Sequence, residues 1–525
     1  MSQDKAGSDR KRMVKDASIV GGATVVSRIL GLLRDAVLAA IFGATPAADA
    51  FFVAFRIPNL MRQLFGEGAL ASSFIPVYTD IMEKEGKGEA GNFASNLFSL
   101  LILVLTFLTV LGIVFAPDLV RFIALGFIPG SDVFNLTVLL TRWMLPYMVF
   151  ICAAAMAMGI LNSHRHFLAP AAAPALLNVA IISAALFVAP GLTVPVKALA
   201  WGVLIGGALQ LLLQLPPLLK RRVMPRIKIP VLSPEVRRMA IILGPAVLGV
   251  AVYQVNVLVD TLLASFLPSG SITYLWYGNR MMQFPLGVFG IALATAALPT
   301  LSSQVAERRM GDFRRTVSFS LGLTAFIGIP AALGLIALRE PIMATLFGRG
   351  AFGTGDVRGA AQALLYYSLG LPLFIGIKIL GRAFFAMENT RIPFLAAGAA
   401  LVVNIFLNLI LMDPMGHGGL ALATSLASGV NLLILAWYFT LRTGTEWFDG
   451  ELRREILSSL IAAALMLMAT GAVADRVHWM DVTTPARVFR LVGCMGLGFG
   501  VYSVSAWVLG CKGMKTLVNR LFKRP

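Results

Sequence analysis

Apolar runs of about twenty residues, separated by short polar turns, recur from near residue 17 almost to the end of the chain, and runs of that length cross a bilayer as helices. The pattern predicts about fourteen spans. Six lie near 17–42, 48–75, 92–116, 134–160, 167–189 and 196–218. Six more lie near 238–266, 271–300, 315–338, 358–385, 392–412 and 418–440, and a last pair near 455–474 and 488–511. The expected fold class is therefore all-α, a polytopic integral membrane protein. One stretch breaks the pattern. Between Ser27 and Tyr78 the first two spans carry Arg28, Arg34, Asp35, Asp49, Arg56 and Arg62. A charge within hydrocarbon is costly and normally faces a protein interior or a wet cavity. Arginines there suit an anionic ligand, because guanidinium presents a fork of donors to phosphate oxygens. At helix ends the same residues serve equally well as anchors that snorkel to the headgroups.

Composition agrees with the pattern. Of 525 residues 58% are hydrophobic and only 13% charged, where a soluble domain carries about a quarter charged residues. The formal charge of +18 lies in loops between spans, so it reports membrane topology and not nucleic-acid binding. The three cysteines, Cys152, Cys494 and Cys511, have no metal or redox spacing and read as packing residues. The basic N-terminus, with Lys5, Arg10, Lys11, Arg12 and Lys15, is followed by no small-residue cleavage site.

Orientation follows from the basic loops. The most basic connection follows span six, with Lys220, Arg221, Arg222, Arg226, Lys228, Arg237 and Arg238. The connections after spans eight and twelve are also basic, whereas the turns at 44–48, 126–132, 267–271 and 413–418 contain no Lys or Arg. Both termini are thus expected in the cytoplasm. Arg339, Arg349, Arg358, Arg476 and Arg487 stand against the rule on the outer side.

The chain also repeats itself. Asp35 and the apolar residues after it match Asp260 and its successors, and Ala69-Leu-Ala ending at Pro76 matches Ala292-Leu-Ala ending at Pro299. Leu145-Pro146 matches Leu371-Pro372, Arg165 matches Arg391, and Asn178 matches Asn404. A six-helix unit duplicated in one orientation gives two lobes related by an axis along the membrane normal, as in alternating-access transporters. The expected divisions are a basic cytoplasmic tail at 1–16, an N-lobe at 17–222, a basic linker at 223–237, a C-lobe at 238–442, a helix pair at 443–511 and a second basic cytoplasmic tail at 512–525.

At 1.5 Å per residue, Arg28 is expected ~16 Å into span one and Arg280 ~14 Å into span eight, both near mid-bilayer, with Arg62 at similar depth on span two. Gly21-Gly22, Gly31, Pro58-Asn59 and Pro285 are candidates for local unwinding there. Without it, Arg34 reads as an outer gate or an ion-pair partner. A second polar set comprises Asp260, Asn404, Asn408 and Thr424, oxygen donors suited to a hard cation such as Na⁺ and equally to interhelical hydrogen bonds. No enzyme constellation is legible. The four histidines lie in loops without spaced partners, and no Walker loop follows a strand.

Three strings, SRILGLLRDAVLAAIFG, DAFFVAFRIPNLMRQLFGEGALASSFIPVY and NRMMQFPLGVFGIALATAALP, resemble the MurJ/MviN family, the lipid II flippases within the multidrug/oligosaccharidyl-lipid/polysaccharide exporter superfamily. The resemblance implies two six-helix lobes around a cationic cavity, with a terminal helix pair forming a groove for the lipid tail. It places Arg28, Arg34, Asp49, Arg62 and Arg280 at the family's cavity positions. Gln283 departs from the Glu that some members have there, which removes a candidate proton-coupling group. The activity implied is a flippase in the bacterial inner membrane. Its ligand is lipid II among membrane lipids; its partners are the cell-wall synthesis or division machinery. It has no resident cofactor and is driven by Na⁺ or the membrane potential. A related exporter of drugs or other polyprenyl-linked glycans, and an integral-membrane enzyme acting on such lipids, remain as alternatives.

Overall fold

The structure, a computed structural model, describes residues 2–66 and 69–515, with the side chains of 2–17, 19, 65, 66, 69, 71, 72, 245, 246, 248–250, 252 and 253 outside the description. Regular structure among the described residues is helical throughout. The chain divides into two compact units, Met1–Leu262 and Leu263–Pro525.

In the first unit the helices are α1 (Ser2–Phe42), α2 (Pro46–Met61), α3 (Ala69–Lys84), α4 (Lys87–Val114), α5 (Ala116–Ile123), α6 (Asp132–Met144), α7 (Tyr147–Ser163), α8 (Leu168–Ser183), α9 (Lys197–Leu212), α10 (Leu215–Lys220) and most of α11 (Pro234–Ala264). Local chemistry sets the boundaries. Thr45 caps α2 by accepting the Ala48 N–H, and Pro46 sits at its first turn, where the missing N–H is no loss. Ser131 caps α6 in the same way through Phe134. Buried side chains of α3, α4 and α7, among them Phe74, Val77, Phe93 and Met156, form one apolar core.

In the second unit follow α12 (Ser271–Pro285), α13 (Ile291–Ala306), α14 (Met310–Ala337), α15 (Arg339–Leu346), α16 (Thr354–Ala386), α17 (Arg391–Met415), α18 (His417–Thr443), α19 (Gly450–Ala474) and α20 (Thr484–Val508). Phe313, Leu380, Phe384, Leu435 and Phe439 centre one core, and Phe326, Met466 and Tyr502 a second that joins the terminal pair to α14.

The repeat is written in these boundaries. The 28-residue α4 and α14 begin at Lys87 and Met310, and the 8-residue α5 and α15 at Ala116 and Arg339, so both pairs are offset by 223. Three helices pass through a wider π-helical turn, at Arg62–Gly66, Ala184–Val188 and Leu286–Gly290. The same offset of 223 places the first against 285–289, one residue from the third. The loosening expected around Pro58-Asn59 and Pro285 therefore takes the form of a π-turn just beyond each, a feature associated with functional sites. Gly21-Gly22 and Gly31 do not unwind α1, which runs unbroken to Phe42. No described side chain leans on either glycine of that pair.

Eleven helices among the described residues are long and apolar enough to cross a membrane. Spans one, two and seven of the expected fourteen are not among them, and part of each lies outside the described side chains. Span seven, α11, groups with the first unit because polar contacts hold it there. Arg56 Nε donates to Thr261 Oγ1 at 2.9 Å, Gln254 donates to Gln63, and Arg238 pairs with Asp80 at 2.8 Å. The connection before it is extended and laced to α4. Asn96 donates to the Val231 carbonyl and accepts from its N–H, while the Arg226 and Lys228 N–H groups donate to Ser95 and Ser99.

Three of the five arginines that broke the basic-loop rule have a local reason. Arg487 is buried and donates to the carbonyls of Val482, Met480, Ala344 and Gly348, at 2.5–3.0 Å. Arg339 donates to the Ile336 carbonyl and Arg349 to those of Thr345 and Leu346. Each satisfies carbonyls at a helix end, which need donors, so these residues report capping and not sidedness.

Candidate functional site

In the first unit α1 packs along α8, and that packing creates a buried charged cluster. Arg34 is 8% exposed and Asp35 fully buried. Arg34 Nη2 and Nε lie 2.6 and 3.0 Å from Asp35 Oδ1, while Nη1 donates to Asn178 Oδ1 at 3.3 Å. Asn178 returns to α1 by donating to the Ser27 carbonyl at 3.1 Å. One carboxylate and one amide oxygen thus satisfy a guanidinium that a dry site would otherwise penalise. Of the two readings of Arg34, the ion-pair partner is the one observed. Its amide partner Asn178 carried no functional signal in the sequence beyond its repeat match.

The remaining charges of this unit are arranged differently. Arg28 is exposed on α1, six residues before Arg34. Asp49 is buried in the first turn of α2, at the end where helix N–H groups favour an anion. Arg62 is half-buried at the start of the π-turn and donates through Nε and Nη2 to Asn59 Oδ1, at 3.2 and 3.0 Å. A neutral amide fixes its direction and leaves its charge uncompensated by that contact. Asp260 on α11 is buried and accepts from Asn256 at 3.3 Å.

In the second unit Arg280 is half-buried on α12, and Gln283 donates to Asn279 one turn above itself. Asn404 and Asn408 of α17 are wholly buried against α18. Asn404 Nδ2 donates to Thr424 Oγ1 at 3.3 Å and Asn408 Nδ2 to Asn404 Oδ1 at 3.0 Å. Three of the four residues expected to suit a hard cation are therefore neighbours, and their donor set is neutral oxygen. No cluster of three or more His, Cys, Asp or Glu suited to a metal occurs among the described residues.

On the terminal pair, Gly498 lies where a Cβ would be 2.9 Å from Thr470, so it serves the packing of α20 on α19. Gly493, Gly496 and Gly500 meet nothing within 4 Å and share an open face with Phe489, Met495 and Phe499. Of these four glycines, Gly498 alone packs on a neighbouring helix among the described residues.

Near the C-terminal ends of α3 and α7, Tyr78 Oη is 3.0 Å from His164 Nε2. Burial holds the His164 pKa below its ordinary value, helped by the charges of Lys87 and Arg221.

Two repeated six-helix bundles with a further helix pair, charged residues inside the first spans and a polar set in the second bundle define a polytopic α-helical transporter. An inward-facing MATE family transporter of the MOP superfamily shares this fold, with a TM-score of 0.69 at 15% identity, over 79% of this chain and 94% of that one. The chain belongs to the MurJ family of lipid II flippases, whose family description matches residues 38–490. It is 35% identical to a probable lipid II flippase MurJ of Vibrio cholerae over 515 residues, 96% of this chain and 97% of the other. It is 36% identical to the lipid II flippase MurJ of Burkholderia cenocepacia, over 94% and 96% of the two chains. A solved lipid II flippase MurJ in an inward closed conformation superposes with a TM-score of 0.77 at 28% identity, covering 96% and 99%. Members of this family are transporters and not enzymes.

Proposed function

We infer that this flippase carries the polyprenyl-diphosphate-linked sugar-pentapeptide from the cytoplasmic to the outer leaflet of the inner membrane by alternating access, with both termini in the cytoplasm. Arg28, Arg62 and Arg280 bind the cargo diphosphate; Arg34 and Asp49 hold the frame around them. The observation that carries this is the contrast among the arginines. Arg34 is held by Asp35 and Asn178, whereas Asn59 aims the Arg62 guanidinium and Arg28 lies exposed on its helix. A shared diphosphate would offset part of the cost of guanidinium groups in the bilayer. Each charge-assisted bond contributes ~1.5–3 kcal/mol. Delivery to the outer leaflet makes the cell-wall synthesis or division machinery the expected partner. The open glycine face of α20 offers a place for the polyprenyl tail.

Complementation with Ala and Lys at each of the three positions, read alongside membrane expression, tests the clamp. Alanine is expected to abolish or severely reduce transport, and lysine to impair it less, because it keeps the charge and loses the fork. Full function with Lys at all three positions, or with Ala at any two, would contradict it.

A second reading within the same function concerns the driving ion. Repeat matching pairs Asp35 with Asp260 and Asn178 with Asn404, but Val259 stands where the first copy has Arg34. The second copy keeps the acid and the amide and has no arginine at the position before the acid. We propose that Na⁺ takes that role, held by Asp260, Asn404, Asn408 and Thr424, whose oxygens are of the type it prefers. The ion, alone or with the membrane potential, would supply the driving force.

A further inference from the structure

The connection between α10 and α11 carries four large aliphatic side chains that the fold leaves uncovered. Ile227 and Ile229 are 79% and 87% exposed, and Val231 and Leu232 are exposed beside them. Arg226 and Lys228, which alternate with the two isoleucines, are exposed as well. In water such a cluster is a liability, and contiguous apolar surface marks a partner or a membrane.

The backbone of this segment is held in place. Pro225, Pro230 and Pro234 keep it out of a helix. Arg226 and Lys228 donate their N–H groups to Ser95 and Ser99 of α4, at 3.0 and 2.9 Å. Two extended residues advance ~6.6 Å and four helical residues ~6 Å, so the segment rises in step with α4. It then turns about Ile229 and Pro230, because Asn96, three residues back along α4, holds Val231. Ile229 is therefore the tip of a loop pinned at the level of Ser99. One turn further on, ~6 Å, Leu103, Val104 and Phe107 begin the exposed apolar face of a helix long enough to span the membrane. That face meets lipid, so the tip reaches the edge of the hydrocarbon. The far side of the loop agrees. Leu232 lines an open cleft of about 500 Å³ with Arg237, Ile241 and Ile242 of α11. Arg237 stands one turn before Ile241, the order in which a helix passes from headgroups to acyl chains.

We propose that residues 224–232 form a strap lying in the membrane interface at the surface where α4 and α11 enter the bilayer. Ile227, Ile229, Val231 and Leu232 are set into the acyl boundary, and Arg226, Lys228 and Arg237 meet the lipid phosphates. Non-helical backbone is tolerated at that depth because Ser95, Asn96 and Ser99 satisfy its protein-facing groups. The strap fixes the depth at which α11, the first helix of the second repeat, begins its crossing.

The test is nitroxide labelling at single cysteines, Arg226→Cys, Ile227→Cys, Lys228→Cys and Ile229→Cys. The full chain carries alanine in place of the buried Cys152, Cys494 and Cys511 and is reconstituted in vesicles of phosphatidylethanolamine and phosphatidylglycerol. Collisions with oxygen, which concentrates among acyl chains, are compared with collisions with a nickel chelate, which stays in water. The oxygen-to-nickel ratio at 227 and 229 is expected to be at least about threefold that at 226 and 228. A smaller difference, with all four sites wet or all four dry, would overturn the inference. In a chain carrying Ile227→Asp and Ile229→Asp, a label at Leu232→Cys is expected to move into water, while one at Glu89→Cys, exposed near the start of α4, stays as it was. A Leu232 label that keeps its lipid signature would also overturn it. The arginine variants above test the cargo independently.

Discussion

The two copies of the six-helix repeat place an acid and an amide at matching positions and use them differently. In the first, Asp35 and Asn178 close around Arg34, and the cluster is complete within the chain. In the second, Asn404 bonds to Thr424 and accepts from Asn408, and valine stands before Asp260 where arginine stands before Asp35. The copies diverge at one position, Arg34 against Val259. A guanidinium on a side chain stays through every turnover. On the proposed reading the second copy takes a dissociable ion instead, which can enter and leave and so couple its occupancy to a gradient.

Removing the attached cation should give the largest effect on stability. Arg34→Ala leaves a fully buried carboxylate unpaired, and breaking one partner of such a pair costs about 3–5 kcal/mol. Thermal unfolding of the purified variant should show a loss of that order. A melting temperature close to wild type would mean that water already serves the Asp35 carboxylate, and the contrast between the copies would weaken.

A smaller difference lies at helix C-terminal ends. The first copy has Tyr78 against His164, where the second has a buried Leu301 and an exposed Thr390. Because the folded state holds the His164 pKa below the unfolded value of about 6.5, folding favours the neutral ring. Its contribution is intact above about pH 6.5 and is lost as pH falls through that value and below. His164→Gln should flatten the acid-side decline of the melting temperature, by on the order of 1 °C. An unchanged acid slope would show that the decline comes from other groups.

Much of this comparison was legible in the sequence. The order of the Pro, Asn and Asp matches disclosed the duplication, and the helix boundaries reproduce it because turn and cap residues repeat with it. An ion-pair role for Arg34 stood beside that of an outer gate, and its partner was not named by the pattern. Asn178 was not readable as its acceptor, because the contact depends on how α1 leans on α8. The π-turns escaped for a related reason: Pro58 and Pro285 signal loosening, but where the extra residue is absorbed depends on packing. Arg487 was misleading because a count of basic residues by side cannot tell a buried cap from a loop charge.

The measurement closest to the central claim is the melting temperature of the purified protein titrated with Na⁺ against K⁺ at constant ionic strength, in wild type and Asp260→Asn. An ion that binds the folded state stabilises it by about 2.7 kcal/mol at a hundredfold excess over its Kd. The account predicts a saturable, Na⁺-specific rise in the wild type that Asp260→Asn removes. A wild-type melting temperature indifferent to Na⁺ would contradict it.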